Sequence, residues 1–461
     1  MSRKFKLSSF TPSLGGSWRS VLSMMREEKL FSTIHIVGTA MAIAFTMVMA
    51  VVYYIKLAPI YPEVNRMRTV YFDGLYLKTE KHGLHTYYGI KAFKEWFQGS
   101  PNIEFCAPTL LAAGTGKFDK STCHDWVVKD KDEYIDVIKN MTTADFFKIY
   151  EYDFLQGRPF TRKEVEANEH VAVISDALAE KLFGKNTDAV GRIVKMDDSM
   201  IKEVRVVGVV RGASQLTPDS YADIIMPCTL GFNDDYTGMY SIIVTVKDNE
   251  HMQALKRELD DVSARALQAH PEILDRRDFK EVEKPKMLLT ENMETHPMYV
   301  LRTENGNSWF SLASIWQIIK HYAGILFVLL FVPALNLCGI IAGRMERRTT
   351  EMAVRKTFGA RRSTLLHQVV WENLALTSIG GVVGLVLSWL AIYGWRTEIM
   401  GLFFDNSILT STPIVSGEML FAPTLFLSAF VAVVVLNLLA AVVPAWWSLR
   451  KPIVESMMEK R

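Results

Sequence analysis

Hydrophobic and polar positions are unevenly distributed along the chain. Four uncharged stretches, Leu30 to Ile55, His321 to Gly343, Asn373 to Trp395 and Met419 to Leu449, stand out. Each is long enough to cross a bilayer as a helix, which takes about 20 residues. Pro423 and Pro444 place the span of the fourth stretch in its middle. Between the first two stretches, from Lys56 to Lys320, charged and turn-forming residues are frequent and no uncharged run is long enough to span. Strand patterns at Val171 to Ile174, Val204 to Val210, Ile224 to Met226 and Tyr240 to Val246 alternate there with helical ones at Asp176 to Phe183, closed by Gly184, and His251 to Leu267. The pattern predicts an α-helical membrane protein with four transmembrane helices and a large mixed α/β extracytoplasmic domain inserted between helices 1 and 2.

Charge sets the orientation. The N-terminal flank carries Arg3, Lys4, Lys6, Arg19, Arg26 and Lys29, the C-terminal tail Arg450, Lys451, Lys460 and Arg461, and the connection from Arg344 to Arg362 seven Lys/Arg. The loop from Arg396 to Glu418 has one Arg and no Lys. The positive-inside rule then predicts a multi-pass protein with both termini cytoplasmic. We place a tail and amphipathic elbow helix at 1–29, helix 1 at 30–55, the outer domain at 56–307, and a stalk with helix 2 at 308–343. A cytoplasmic connection follows at 344–369, then helix 3 at 370–395, an outer loop at 396–418, helix 4 at 419–446 and a tail at 447–461. Pro59 and Pro62 interrupt any helical continuation beyond helix 1. His35, near the cytosolic end of helix 1, reads as a snorkelling interfacial imidazole.

Near-neutral charge and 49% hydrophobic residues exclude a nucleic-acid binder. A Cys106 to Cys123 bridge is chemically permitted outside the cytoplasm. Gly114-Thr115-Gly116-Lys117 lacks the spacing of a phosphate loop, and His82, His85, Cys106, Cys123 and His124 are too irregular for zinc and read as solvated loop residues. No hydrolase motif is present, so the chain reads as a non-catalytic subunit with no cofactor or metal site of its own.

The cytoplasmic connection carries the most specific signal. Arg347, Glu351 and Arg355 recur at i,i+4, as do Val354 and Phe358, and Gly359 stands where a helix takes a left-handed terminator. A short amphipathic helix results, suited to a protein groove or to anionic lipid. In helix 3, Gly380, Gly384 and Ser388 form a small-residue ridge for helix packing.

The run EMAVRKTFGARRSTLLHQVVWEN, residues 351 to 373, resembles the coupling segment of the MacB/FtsX family of ABC-transporter permeases, with Thr357 where alanine is commoner. MTTADFFKIYEYDFLQGRPFT, HVAVISDALAEKLFGKNTDAVGRIVKM and VRVVGVV, between Met141 and Val210, are similar in order and spacing to the MacB-type periplasmic domain, whereas Tyr61 to Thr122 matches poorly. The resemblance implies that Glu351, Val354, Arg355, Lys356, Phe358 and Gly359 dock on a separately encoded ABC ATPase, which binds ATP and Mg. It also implies a bacterial inner-membrane permease working as a homodimer or heterodimer, with an extracytoplasmic adaptor or outer-membrane partner, in export or extraction of a peptide, lipoprotein or antibiotic. Glu372 occupies the family's acidic position at the cytosolic edge, where water and a salt bridge are expected. The alternative is an FtsX-like mechanical regulator of a cell-wall hydrolase.

Overall fold

The structure, a computed structural model, describes residues 23, 25–78, 83–110, 123–130, 133–198, 200–231, 235–275, 285–290, 293–304, 354–355, 357–360, 362–404, 415–420 and 423–450, with isolated positions between 316 and 343. Most of the expected second helix, the Gly114 to Lys117 loop, His82, Glu351, Lys356 and the basic tails lie outside the described residues. The chain divides into two units, one of 1–52, 320–395 and 420–461, the other of 53–319 and 396–419.

α1 (Lys29–Leu57), which belongs to the first unit as far as Val52, ends just before Pro59. Two further long helices of the first unit run over Arg362–Gly394 and Pro423–Arg450. The first of these starts earlier than the sequence suggests, joining the end of the cytoplasmic connection to the third apolar stretch. In the second, Pro423 occupies the opening turn, where its missing N–H leaves no bond unmade, and the helix continues through Pro444.

The glycine ridge packs within this unit. A Cβ on Gly380 would stand 2.9 Å from Cβ of Thr39 and 3.0 Å from the Ile36 carbonyl oxygen, and one on Gly384 2.6 Å from the Ala40 carbonyl oxygen. Only hydrogen at those two positions lets the backbones approach so closely. Ser388 is buried on the same helix and returns its hydroxyl to Leu385 O at 2.7 Å. Ile43, Met47 and Val433 form the apolar cluster beside the ridge. His35 does not snorkel: it is 1% exposed and lies 3.4 Å from the Thr377 hydroxyl, since helix packing covers that face of α1. Trp389, Tyr393 and Trp395, by contrast, are exposed, as an interfacial aromatic belt requires.

The second unit has two lobes. One is built from β1 (Thr69–Phe72), β2 (Leu75–Lys78), β3 (Gly83–Tyr88) and β4 (Phe105–Thr109). It resumes much later in the chain with β12 (Thr237–Gly238), β13 (Ser241–Thr245), β14 (Lys286–Leu288) and β15 (Met293–Thr295). These strands form sheets β15-β1-β13-β4 and β12-β3-β2-β14 around a core that includes Phe72, Phe97, Trp96 and Leu259. The poorly matching stretch from Tyr61 to Thr122 therefore supplies half of a lobe whose other half comes from beyond residue 236.

The other lobe holds β5 (His124–Asp130), β6 (Glu133–Thr142), β7 (Phe154–Gly157), β8 (Val171–Ser175), β9 (Ile193–Met196), β10 (Glu203–Val210) and β11 (Ile224–Pro227). Their order is β7-β10-β8-β11-β6-β5-β9, and β9 also pairs with β10, closing the sheet on itself. β8 is buried at every position, each such Val or Ile contributing about 1.5–3 kcal/mol. The following helix, α2 (Asp176–Phe183), is capped by Ser175 Oγ accepting from Leu178 N and closed by Gly184 at φ 90°.

The G-R-P-F turn has a physical basis. Gly157 takes φ 67°, and a side chain there would strike Val207 O. Arg158 then grips Glu164 through two bonds of 2.8 and 2.7 Å, while Glu164 and Thr161 cap the helical turn Arg162–Glu166. The fork from Arg158 holds the Glu164 carboxyl down to about 2. Cys106, Cys123 and Cys228 are buried thiols, so the permitted Cys106 to Cys123 bridge is not formed; Cys123 Sγ donates to Leu110 O at 3.1 Å, and neither Cys106 nor Cys123 is a solvated loop residue.

Candidate functional site

Two places stand out by their geometry. The first is the lever, the short segment from Val354 to Ala360 ahead of the helix Arg362–Gly394. Its described part ends as the sequence suggests: Gly359 adopts φ 89°, and Ala360 N donates to Arg355 O at 3.0 Å. Thr357 uses its hydroxyl to bond Val354 O at 2.6 Å, a closing contact that alanine could not make. Phe358 is 88% exposed, and Val354 is exposed beside it.

Arg355 is engaged within the chain. Its Nη1 donates to Gln368 Oε1 at 2.9 Å, and Gln368 Nε2 donates to Glu372 Oε1 at 3.0 Å. The lever is thus tied to α3 (Arg362–Gly394). Glu372 is buried, contrary to its expected place in water, because that helix turns it toward Gln368 and the packed interior.

The second place, which the sequence does not announce, is the C-terminal end of α1. The last carbonyls of a helix have no partners inside it. Here Tyr54 O accepts from Ala58 N at 2.8 Å, Ile55 O and Ala58 O accept from Arg66 Nη1 at 2.6 and 2.7 Å, and Lys56 O accepts from His296 Nε2 at 2.8 Å. Positive and donor groups thereby face the negative end of the helix macrodipole.

These capping groups belong to a buried cluster. Glu63, Arg66, Asp219 and His296 are 0%, 2%, 3% and 2% exposed. Arg66 Nε donates to Glu63 Oε2 at 2.8 Å, Ser220 Oγ donates to Glu63 Oε1 at 2.7 Å, and Tyr299 donates to Asp219 Oδ1 at 3.0 Å. Because Lys56 O can only accept, Nε2 of His296 carries hydrogen, and Nδ1 accepts from the Tyr71 hydroxyl at 3.0 Å. Burial, with the nearby Arg66 charge, lowers His296 to about 4, so the ring is neutral. Burial and the Glu63 carboxylate push the Asp219 carboxyl well above its ordinary value, against the pull of Tyr299 and Arg66.

Glu63, Asp219 and His296 bring their ligand-type atoms within 4.8 Å of one another. Their geometry does not favour a metal: the Arg66 guanidinium already supplies positive charge there, and both imidazole nitrogens are spent on Lys56 and Tyr71. Sequence reasoning missed this cluster because its members lie in three separated segments, with Ser220 and Glu63 157 positions apart. The one local hint was charge, Glu63 and Arg66, placed immediately after the proline break.

Comparison with known proteins adds an independent line. Residues 32–262 match the family described as MacB-like periplasmic core domain, and residues 323–453 match FtsX-like permease C-terminal. A macrolide export ATP-binding/permease protein MacB of Burkholderia pseudomallei is 25% identical over 303 residues, covering 65% of this chain and 40% of the relative. The chain thus spans well under half the length of that relative. An uncharacterized ABC transporter permease, YknZ of Bacillus subtilis, is 23% identical over 303 residues, 62% of this chain and 68% of its own. The crystal structure of the extracellular domain of noncanonic ABC-type transporter YknZ from Gram-positive bacteria aligns with TM-score 0.31 and 18% identity, over 44% of this chain and 95% of that one.

Proposed function

This chain belongs to the MacB/FtsX family of ABC-transporter permeases, and from that premise we propose that it is the membrane subunit of an ATP-driven export or extraction system. A separately encoded ATPase docks on the lever, and the spans relay its closure to the domain outside. Members of this family act in the inner membrane, and the permease part is generally non-catalytic. We assign the chain a homodimeric or heterodimeric assembly, with both termini in the cytoplasm.

The observation that carries this reading is Phe358. A large aromatic ring 88% exposed, on a turn closed by Gly359, is an anchor presented for a groove. Arg355, expected to take part in docking, also bonds Gln368 within the chain, and we assign it the further part of a strut that passes a push on the lever into the following helix. Relay at the far side uses the clamp of Arg66 and His296 on the last carbonyls of α1, a set of bonds that lies within the second unit.

A photoreactive phenylalanine analogue placed at Phe358 tests the docking in cells. The expected product is an adduct with a protein that carries a phosphate loop. Adducts formed with lipid alone would assign the lever to the membrane surface and overturn the proposal.

A further inference from the structure

The cluster at the outer end of α1 contains two carboxyls and one cation. Arg66 serves Glu63, Ile55 O and Ala58 O at once, and His296 contributes no charge because its two nitrogens are engaged as a neutral ring. Around Asp219 stand Glu63 and Arg66 from the segment after α1, Tyr71 from β1, Tyr150 from the turn after β6, and His296 and Tyr299 from the helix His296–Glu304. Arg66 is the single group among these with a full positive charge. Two ionised carboxylates would leave a net negative charge in a dry site, a costly arrangement relieved by taking up a proton.

We propose that this cluster is a proton-binding site, with the proton on Asp219, and that it makes the seating of the outer end of α1 sensitive to the pH outside the membrane. With the proton in place, Glu63 alone balances Arg66, and the guanidinium is free to cap the helix. Release of the proton sets a second carboxylate beside the same guanidinium and beside the negative end of the α1 dipole. Both effects draw Arg66 away from Ile55 O and Ala58 O and loosen the last turn. The linkage sign follows: an acid held above its ordinary value of 3.8 stabilises the native arrangement at low pH, and this contribution declines as pH rises through its elevated value.

The proposal stands apart from the ATPase assignment, and its test uses no nucleotide. The full chain in lipid nanodiscs is studied by infrared difference spectroscopy and by hydrogen exchange of the segment Tyr53 to Ala58, corrected for the intrinsic effect of pH. At neutral pH the wild type should show the carbonyl stretch of a protonated carboxylic acid that Asp219→Asn lacks. Protection of that segment should fall by up to roughly tenfold for each pH unit between the ordinary value of 3.8 and the elevated native value, one unit of linkage being a tenfold change, should level off above the latter, and should lack this dependence in Asp219→Asn. Glu63→Gln, which leaves Asp219 alone with Arg66, should move loss of the acid band to lower pH. An acid band unaffected by both substitutions, or identical exchange profiles in wild type and Asp219→Asn, would overturn the proposal.

Discussion

At the scale of single residues, Arg66 is the side chain on which the end of α1 depends most. Arg66→Met leaves Glu63 charged and unpaired in the interior, which is expected to cost about 3–5 kcal/mol, and it also strips two carbonyls of their donor. Adding Glu63→Gln should recover part of that loss, as a double-mutant cycle on denaturant unfolding would reveal. Additive losses would show that the two residues do not interact. His296 supplies the acid side of the pH profile. Because it is held at about 4 against an ordinary 6.5, its contribution is complete above 6.5 and declines as pH falls toward and through 4. Thermal unfolding should therefore show an acid arm that His296→Gln reduces. Glu164 behaves similarly at lower pH: its contribution is present above its ordinary 4.5 and is lost as pH falls through about 2. Arg158→Ala should weaken that dependence, leaving the share that Thr161 supplies, and destabilise its lobe by about 1 kcal/mol, Arg158 being half-exposed.

At the scale of elements, what was legible in the sequence was what local chemistry decides. α2 was readable because Ser175 and Gly184 mark its two ends, and the lever's end because Gly359 can take a positive φ without strain. The ridge of Gly380 and Gly384 was readable as a packing face, and its contact with Thr39 and Ala40 shows which helix it meets. The rest turned on partners distant in the chain. His35 and Glu372 looked like edge residues by their position, yet both are buried, His35 beside Thr377 and Glu372 bonded to Gln368. The proton site draws on positions 63, 219 and 296, which share no periodicity. For the helices, Gly384→Val should prevent the close approach of α1, because the added Cβ meets a backbone carbonyl oxygen that cannot rotate away. Cysteine crosslinking between Ala40→Cys and a neighbouring position on α3 should drop sharply in that variant. Unchanged crosslinking would mean that the backbones can separate without loss.

At the scale of the whole molecule, the account requires the lever inside and the α/β domain outside. A reporter fused after Glu250 should score as extracytoplasmic and one after Arg362 as cytoplasmic; the reverse at either point would invalidate the map. The central claim is that Phe358 receives work done by a separate ATPase. Its most direct measurement is the rate of ATP hydrolysis by that ATPase, reconstituted with this chain in lipid, for wild type against Phe358→Ala. Loss of an anchor worth about 2 kcal/mol should weaken association about thirtyfold, so that at limiting ATPase concentration the stimulation by this chain is lost while α1 and the outer domain remain folded. Full stimulation by the folded Phe358→Ala protein would contradict the account.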